Sequence, residues 1–305
     1  MSEACFIGLD VGGTKTAISL GTAEGEILAK HSYPSDGSWE EVLGTAVGII
    51  GDLRREYSAS GLRAIGISCG GPLDSRTGIV VSPPNLPLWR DVPVCGILTG
   101  ETGLPAYLEN DANACALAEW IWGAGRGTSN MVFLTFGTGL GAGMILNGRL
   151  YCGTSGLAGE IGHLRMAETG PLGYGKRGSW EAFCSGGGMS AHYTLLHGEN
   201  LTAKEICRRA HEGDPLSIEL IRTTADYLGR GISILIDTLN PEKIIIGSIF
   251  AREEELFRPA MERAIETEAL TPAAAACTVE PAQLGEALGD MAALGVARNG
   301  IGGIA

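Results

Sequence analysis

Two short turns of glycine and threonine have the residue types and spacing that best fit a chemical role. The first reads Asp10-Val-Gly-Gly-Thr14, and the second reads Gly137-Thr-Gly-Leu-Gly141. Small residues between two strands expose backbone N–H groups and let an anion approach closely. Two such turns facing each other could hold a triphosphate from both sides. Either turn alone would more often be only a tight turn, and it is the pair, together with Asp10, that favours phosphate binding.

Two aspartates stand near the ends of predicted strands. Asp10 is well placed to hold Mg²⁺ through water, since Mg²⁺ keeps much of its hydration. Asp111 follows the strand-like residues 106–108 and precedes helical sequence, which places it at the carboxyl end of a strand. A carboxylate there can accept the proton of a substrate hydroxyl. Aspartate before an alanine-rich helix is also a common N-cap, and the two roles can coexist.

Three further polar residues have two interpretations each. Glu160 and His163 would share a face on a helical turn or converge on a loop, whereas such pairs elsewhere are often surface ion pairs. Their position after the second glycine turn favours a functional role. Lys15 is either a phosphate contact or a solvated strand lysine.

The common nucleotide-binding motifs do not explain this sequence. No Gly-Lys pair is followed by Ser or Thr, so a P-loop is absent. The spacing GxGxxG occurs over 173–178, but it follows loop sequence rather than a strand, so we interpret that match as accidental.

Composition excludes several classes of protein. Among 305 residues, 22 Lys and Arg stand against 35 Asp and Glu, a formal net charge of −13. This balance argues against binding of nucleic acid or of an anionic membrane surface. The 8 cysteines include no CxxC pair and lie mostly in apolar contexts, as buried free thiols do. With no targeting segment and no apolar stretch long enough to span a membrane, we expect a cytoplasmic protein.

Each half of the sequence opens with the same pattern of strand, glycine turn, strand, turn and strand. Asn147-Gly148 is a strong two-residue hairpin signal within the second pattern. Helical patterns follow at 40–57, 112–122, 180–196, 202–212, 215–239 and 252–268. Strands mixed with helices in two similar halves indicate two α/β lobes facing a cleft. We expect lobes over 1–120 and 121–283, with helical insertions in the second and a final helix, about 284–305, that could pack back on the first.

The turns belong to a longer set of motifs. Asp10-Val-Gly-Gly-Thr-Lys15 resembles the first phosphate motif of the sugar-kinase/Hsp70/actin superfamily. Within that group the chain is similar to the ROK family of repressors, uncharacterised frames and sugar kinases. The further matching segments, in the expected order, are 70–74, 109–114, 135–141, 160–163 and 240–247. The resemblance implies two ribonuclease-H-like (actin-like ATPase) lobes flanking a nucleotide and sugar cleft, and a glucokinase-like, ATP-dependent kinase for a hexose or N-acylhexosamine.

The resemblance also implies a role for each matching residue. The phosphates of ATP would be lined by Gly12, Gly13, Thr14, Lys15, Thr138 and Gly139. Mg²⁺ would be held by Asp10 through water, and Gly247 would lie beside the adenosine. Asp111 would be the catalytic base. The sugar would be held by Gly71, Asn85, Asn110, Asp111, Glu160, His163 and Glu181.

One stretch departs from the family. Members usually carry CxCGxxGCxE after ExGH, and the three cysteines bind zinc together with the histidine. Here Leu172, Tyr174 and Ser179 occupy the cysteine positions. Leucine cannot ligate zinc, and tyrosine and serine are poor substitutes for thiolates. We therefore predict no structural zinc and a loop fixed by packing, through Tyr174 and Trp180.

Two smaller points remain open. Cys152 and Cys184 could form a different zinc site with His163, although two separate cysteines are more often core residues. Gly70 stands where the family often has proline, which could alter the wall of the sugar site.

The resemblance leaves rival functions. ROK repressors carry an N-terminal winged helix, and with only five residues before Phe6 and a negative net charge we expect no such module here. The alternative is a catalytically weak sugar-binding regulator, which the retained Asp111 and both glycine turns disfavour. The resemblance favours a homodimer. The identity of the sugar, and whether polyphosphate can replace ATP, stay open.

Overall fold

The computed structural model describes residues 4–57 and 61–302, which form two compact units. The first unit comprises the described residues within Met1–Arg126, Gly153–Gly156 and Glu286–Ala305. The second comprises Gly127–Cys152 and Leu157–Gly285. The parts of the expected lobes and final helix at 1–3, 58–60 and 303–305 lie outside the described residues.

The strands occur in both units. In chain order they are β1 (Cys5–Val11), β2 (Lys15–Thr22), β3 (Ile27–Pro34), β4 (Leu62–Cys69), β5 (Leu73–Asp74), β6 (Ile79–Val80), β7 (Ala106–Asn110), β8 (Met131–Phe136), β9 (Leu140–Leu146), β10 (Arg149–Leu150), β11 (Leu172–Gly173), β12 (Lys176–Arg177), β13 (Lys243–Ile246) and β14 (Thr278–Pro281).

The α-helices follow the opening strands of each unit. They are α1 (Trp39–Glu56), α2 (Val94–Thr102), α3 (Asp111–Trp122), α4 (Trp180–Phe183), α5 (Gly186–His197), α6 (Ala203–His211), α7 (Pro215–Leu239), α8 (Ile249–Glu268), α9 (Thr271–Ala275) and α10 (Leu288–Gly300). Short 3₁₀ helices lie at Ile161–His163 and Gly285–Ala287. Among the described residues, no helix is both long enough and apolar enough to span a membrane.

The two units repeat one sheet topology. The first has the strand order β3-β2-β1-β4-β7, and the second has the order β10-β9-β8-β13-β14. In each, the three opening strands pair antiparallel and the last two pair parallel. Parallel strands require crossover connections, and helices supply them. The predicted α/β class is therefore confirmed.

Asn147 and Gly148 form the predicted hairpin turn between β9 and β10. Both residues have positive φ, +53° and +70°. A type I′ turn requires positive φ at both central positions, and the Asn-Gly sequence tolerates it best.

Helix α10 packs on the first sheet by way of glycine. A Cβ on Gly66 in β4 would lie 2.1 Å from the carbonyl oxygen of Ala293 and 2.3 Å from the amide nitrogen of Ala297. No other residue type would allow this helix to approach the sheet so closely. The expected final helix therefore lies against the first unit's own sheet, where residues 291–297 are almost fully buried.

One helix prediction is wrong. The pattern over 180–196 predicted a continuous helix, but the helix is interrupted at Cys184 and Ser185, which separate α4 from α5. Ser185 starts a new helix by accepting a hydrogen bond from Gly188 N–H, 2.9 Å. The break lets Gly186 N–H donate to the carbonyl of Gly137 at 2.7 Å. Apolar periodicity spans both helices, so it could not reveal the interruption.

Candidate active site

Asp10 and Asp111 lie at the same edge of the first sheet. Strands β1, β4 and β7 run parallel, with Asp10 aligned with Ser68 and Cys69 aligned with Asn110. Asp111 follows directly as the first residue of α3. Because the carboxyl ends of parallel strands share one edge, the two predicted acidic site residues of this unit are neighbours.

The pKa of the Asp10 carboxyl is raised to about 6. Burial is the main cause, followed by the negative charges of Asp290 and Asp111. Lys30 and a hydrogen bond from Ser68 act in the opposite direction. Asp290 is itself buried. It accepts a hydrogen bond from the hydroxyl of Ser19 in β2 at 2.9 Å and forms an ion pair with Lys30. A cation beside Asp10 would relieve the repulsion among these carboxylates.

Asp111 is exposed to solvent, and it is not the N-cap of α3. Asn110 takes that role, with its side-chain oxygen accepting from Asn113 N–H at 2.7 Å. The carboxylate of Asp111 accepts from the N–H of Ala112 at 2.8 Å. The protein packed around Asp111 raises the pKa of its carboxyl, and the backbone hydrogen bonds oppose this only in part. The Asp111 side chain is therefore held at the start of α3 in a position that solvent reaches.

Glu109 supports this helix start and was missed by sequence reasoning. Its side chain is 6% exposed, and it accepts hydrogen bonds from Asn113 Nδ2 at 3.0 Å and from the hydroxyl of Ser75. Ser75 follows the segment 70–74, one of the matching motifs. Glu109 thus joins that loop to the first turn of α3. The available signals were its place at the start of the matching segment 109–114 and its position two residues before Asp111.

The first glycine turn connects β1 to β2 and packs against Asn85. Gly12 N–H donates to the carbonyl of Lys15 at 3.1 Å, and this bond closes the turn. A Cβ on Gly13 would lie 2.7 Å from the carbonyl oxygen of Asn85. Within the described residues, the N–H groups of Gly13 and Thr14 make no hydrogen bond. They are therefore free to bind an anion, and the Lys15 side chain is exposed beside them.

Asn85 also approaches the loop that contains Gly71. A Cβ on Gly70 would meet the Asn85 side-chain amide at 3.6 Å. Gly71 is exposed and precedes Pro72 through a cis peptide bond. The structure therefore brings the predicted phosphate turn, Asn85 and the Gly70–Gly71 loop together in the first unit.

The second glycine turn connects β8 to β9. Thr135 Oγ1 accepts from Gly141 N–H at 2.9 Å across the base of the turn. The carbonyls of Gly137 and Thr138 accept from the first two amides of α5, at 2.7 and 3.3 Å. In the part of the chain that the structure describes, the N–H groups of Thr138 and Gly139 have no such partner. The carbonyl groups of this turn are therefore hydrogen-bonded to α5, while its N–H groups are left without a partner among the described residues. Such N–H groups can bind a phosphate.

Glu181 is in contact with this turn. Its Oε2 accepts from Leu140 N–H at 2.9 Å, and a Cβ on Gly139 would lie 2.7 Å from the same oxygen. Gly162, in the ExGH segment, fits against both: its Cβ would lie 2.3 Å from the Leu140 carbonyl and 3.2 Å from Glu181 Cβ. Three separate predicted site segments therefore meet in the second unit.

Glu160 and His163 lie at the two ends of the 3₁₀ turn Ile161–His163, with both side chains exposed. His163 N–H donates to the carbonyl of Glu160 at 3.2 Å. The His163 ring contacts Tyr174 edge to face, with centroids 5.2 Å apart, and its Nδ1 lies 3.0 Å from Lys176 Nζ. Lysine can only donate, so Nδ1 is the acceptor and Nε2 carries the ring proton.

The loop without cysteines is built as a small hairpin of β11 and β12. Tyr174 sits in its turn with φ +53°, and Leu172 is 63% exposed. Ser179 accepts from Ala182 N–H at 3.3 Å and caps α4. Trp180 is fully buried. Within residues 4–57 and 61–302, no group of three His, Cys, Asp or Glu side chains could hold a metal ion.

Gly247 ends β13 and precedes α8. Its N–H donates to the carbonyl of Leu134 at 2.9 Å, and a Cβ there would lie 2.9 Å from the ring of Phe133. The following residue, Ser248, has φ +57°. The backbone therefore turns sharply beside the strand that leads into the second glycine turn.

The motifs and their geometry agree with one family. The sequence profile of the ROK family matches residues 6–299. The chain belongs to the ROK family. It is 34% identical over 311 residues to a glucokinase of Halalkalibacterium halodurans, covering 95% of this chain and 93% of that protein.

Two solved structures support the assignment of this ROK protein. A ROK hexokinase from Thermus thermophilus superposes with a TM-score of 0.86 at 32% identity, covering 98% of this chain and 99% of that one. A ROK family glucokinase from Streptomyces griseus, solved with glucose and AMPPNP, gives a TM-score of 0.74 at 29% identity, covering 97% and 100%.

The ROK family also includes regulators. The xylose repressor of Bacillus spizizenii is 31% identical over 244 residues, which cover 79% of this chain and 63% of that protein.

Proposed function

We infer that this ROK protein is a carbohydrate kinase, and we propose that it transfers the γ-phosphoryl group of ATP to a hydroxyl of a hexose or N-acylhexosamine. The glucokinase and hexokinase relatives cover nearly its whole length. The single observation that carries the finer proposal is the exposed carboxylate of Asp111, placed beside Asp10 at the edge of the first sheet.

Asp111 would act as the general base. A sugar hydroxyl is a poor nucleophile until a carboxylate accepts its proton. The protein packed around Asp111 raises the pKa of its carboxyl, which makes the carboxylate a better proton acceptor than that of an ordinary aspartate. Asn110 uses its side-chain oxygen to cap α3, which leaves the Nδ2 donor for a sugar hydroxyl. Gly71 and Asn85 would complete this side of the sugar site.

Phosphoryl transfer depends mostly on positioning and on neutralisation of charge. The open N–H groups of Gly13, Thr14, Thr138 and Gly139 would hold the phosphates, with Lys15 as an added charge. In the second unit, Glu160, His163 and Glu181 would bind sugar hydroxyls, and Gly247 would lie against the adenosine. Hydroxyls matched to these polar groups would set specificity, because an analogue lacking one leaves its partner unsatisfied.

The residues around Asp10 fit a magnesium ion that arrives with ATP. The carboxyl group is partly buried, and the charges of Asp290 and Asp111 disfavour its ionisation without a cation. Asp10 would hold Mg²⁺ through its bound waters. When bound, the ion neutralises charge on the phosphates.

A coupled ADP-release assay over a panel of sugars tests this function. It should include glucose, mannose, fructose, N-acetylglucosamine and N-acetylmannosamine, each with ATP and with polyphosphate. We expect sugar-dependent ADP release with at least one of them. If no sugar stimulates release while sugar binding is still measurable by calorimetry, the protein is a sugar-binding regulator, the role suggested by its similarity to a xylose repressor.

We also propose that the protein acts as a cytoplasmic homodimer. Light scattering on the purified protein measures its mass, and a mass near 31.7 kDa would contradict the dimer.

A further inference from the structure

Glu181 is tied to the phosphate turn and to the ExGH segment at once. Leu140, the residue after the open amides of Thr138 and Gly139, is 2% exposed and donates its N–H to Glu181 Oε2 at 2.9 Å. The same oxygen also lies beside Gly139, where a Cβ would be 2.7 Å from it. Through the hydrogen bond to Leu140 N–H, the position of the Glu181 carboxylate is linked to the position of the turn.

The second carboxylate oxygen of Glu181 is available to a ligand. Glu181 Oε1 makes no hydrogen bond within the described residues, and the side chain is only partly buried. A carboxylate can accept several hydrogen bonds, so one oxygen can hold the turn while the other accepts from a sugar hydroxyl.

The surrounding backbone is too tightly packed to absorb a displacement. Gly162 sits against the Leu140 carbonyl and the Glu181 Cβ, and a Cβ on Gly188 in α5 would lie 2.4 Å from the Glu181 carbonyl. On the far side of the turn, Gly186 N–H holds the Gly137 carbonyl at 2.7 Å. Closely packed elements move together or not at all.

We propose that Glu181 couples the two ligands of this kinase: its Oε2 positions the second phosphate turn through Leu140 N–H, and its Oε1 binds the sugar. Occupation of Oε1 fixes the carboxylate, and the fixed carboxylate holds the Thr138 and Gly139 amides in place for the phosphates. Sugar then raises the affinity for nucleotide, and nucleotide raises the affinity for sugar by the same factor. This inference rests on the proposed function, because it requires a sugar at Glu181.

Calorimetry on the full chain tests the coupling. The dissociation constant of glucose is measured with and without Mg²⁺-AMPPNP, and that of AMPPNP with and without glucose. For the wild-type protein we expect each ligand to tighten the other by at least about fivefold. Glu181→Met, which removes both oxygens, should reduce this factor to about one, whereas Glu181→Gln, which retains one acceptor, should keep part of it. Glu168→Gln removes an exposed carboxylate from the loop between the 3₁₀ turn Ile161–His163 and β11, and it should leave the factor unchanged.

The outcomes separate the possible explanations. Weaker glucose binding by Glu181→Met with the coupling factor intact would make Glu181 a sugar ligand only and overturn the proposal, as would a wild-type factor of one. If the wild-type protein binds AMPPNP but no sugar of the panel, the proposed function fails first. Thermal unfolding of each variant shows whether it is folded, and Glu181→Gln carries the comparison if Glu181→Met is not.

Discussion

The backbone carbonyl of Asn85 occupies the space that a side chain on residue 13 would need. A Cβ on Gly13 would lie 2.7 Å from that oxygen and 2.8 Å from the Asn85 Cβ. These residues are 72 positions apart in the sequence, so the contact belongs to the tertiary structure. It brings a predicted sugar-site residue against the turn whose open amides would bind phosphate.

The substitution Gly13→Ala should therefore damage nucleotide binding. The added methyl group must push the turn away from Asn85, which moves the N–H groups of Gly13 and Thr14. We expect KM for ATP to rise by about tenfold or more, the cost of losing roughly one charge-assisted hydrogen bond. The measurement is a steady-state titration of ATP at saturating sugar.

Gly44→Ala is the matched control for this substitution. A Cβ on Gly44, inside α1, would meet nothing within 4 Å. Because alanine has the better helix propensity, this variant should be more stable by up to about 1 kcal/mol, with kinetics unchanged. An unchanged KM for ATP in Gly13→Ala would contradict the assignment of the first turn.

The substitution Asp10→Asn should stabilise the ligand-free protein while weakening catalysis. The pKa of Asp10 is about 6 in the folded chain, against an ordinary value of 3.8, so the folded state binds more protons than the unfolded state between these pH values. This group's contribution therefore makes the wild-type protein less stable as pH rises from about 4 to about 6.

A neutral residue at position 10 removes that loss. We expect Asp10→Asn to raise the free energy of unfolding at pH 8 by on the order of 1–3 kcal/mol, with little effect at pH 4. Urea unfolding at both pH values, without ligand, measures the difference. Equal free energies of unfolding for wild type and variant at pH 8 would show that burial and the charges of Asp290 and Asp111 do not destabilise the Asp10 carboxylate.

The substitution Asp111→Asn should abolish turnover but not sugar binding. Asparagine has nearly the same shape and cannot accept the hydroxyl proton, so kcat should fall by about 10²–10⁴-fold. Because Asn110 caps α3, the helix should be unaffected. Stopped assays give kcat, and calorimetry should give a sugar affinity within a few-fold of wild type. Turnover comparable to wild type would remove Asp111 as the base.

The loop at 172–179 should be stable without metal. The loop is held by the hairpin of β11 and β12, by the contact between Tyr174 and His163, and by Ser179, which caps α4. Tyr174 and Ser179 stand at two of the positions where the family resemblance implies cysteines. Elemental analysis of the purified protein should find far less than one zinc per chain, and a strong chelator should leave the unfolding temperature unchanged. One full equivalent of zinc would show that other residues bind it.

Much of the candidate site could be predicted because its motifs are formed by residues that lie close together in the sequence. Glycine turns between strands, an aspartate after a strand, and the fixed order of the motifs depend on residues within a few positions of each other. The loss of the zinc cysteines is equally visible, since ligand chemistry follows from residue type. The repeated opening pattern also predicted three consecutive strands at the start of each half, and each sheet has them as antiparallel neighbours.

The identity of the N-cap, the break in the predicted helix and the support of the turns were decided only by tertiary structure. Asn110 rather than Asp111 caps α3, because a cap depends on backbone geometry at one residue, and both residue types are good caps. The helix over 180–196 is interrupted at Cys184 and Ser185, and the first amide of its second part donates to the carbonyl of Gly137, which lies 49 positions earlier in the sequence. Glu109 with Ser75, Asn85 with Gly13, and Glu181 with Leu140 pair residues between 34 and 72 positions apart. A sequence pattern indicates the period of one helix or strand. These contacts depend instead on how separate elements pack against each other, so only the tertiary structure could show them.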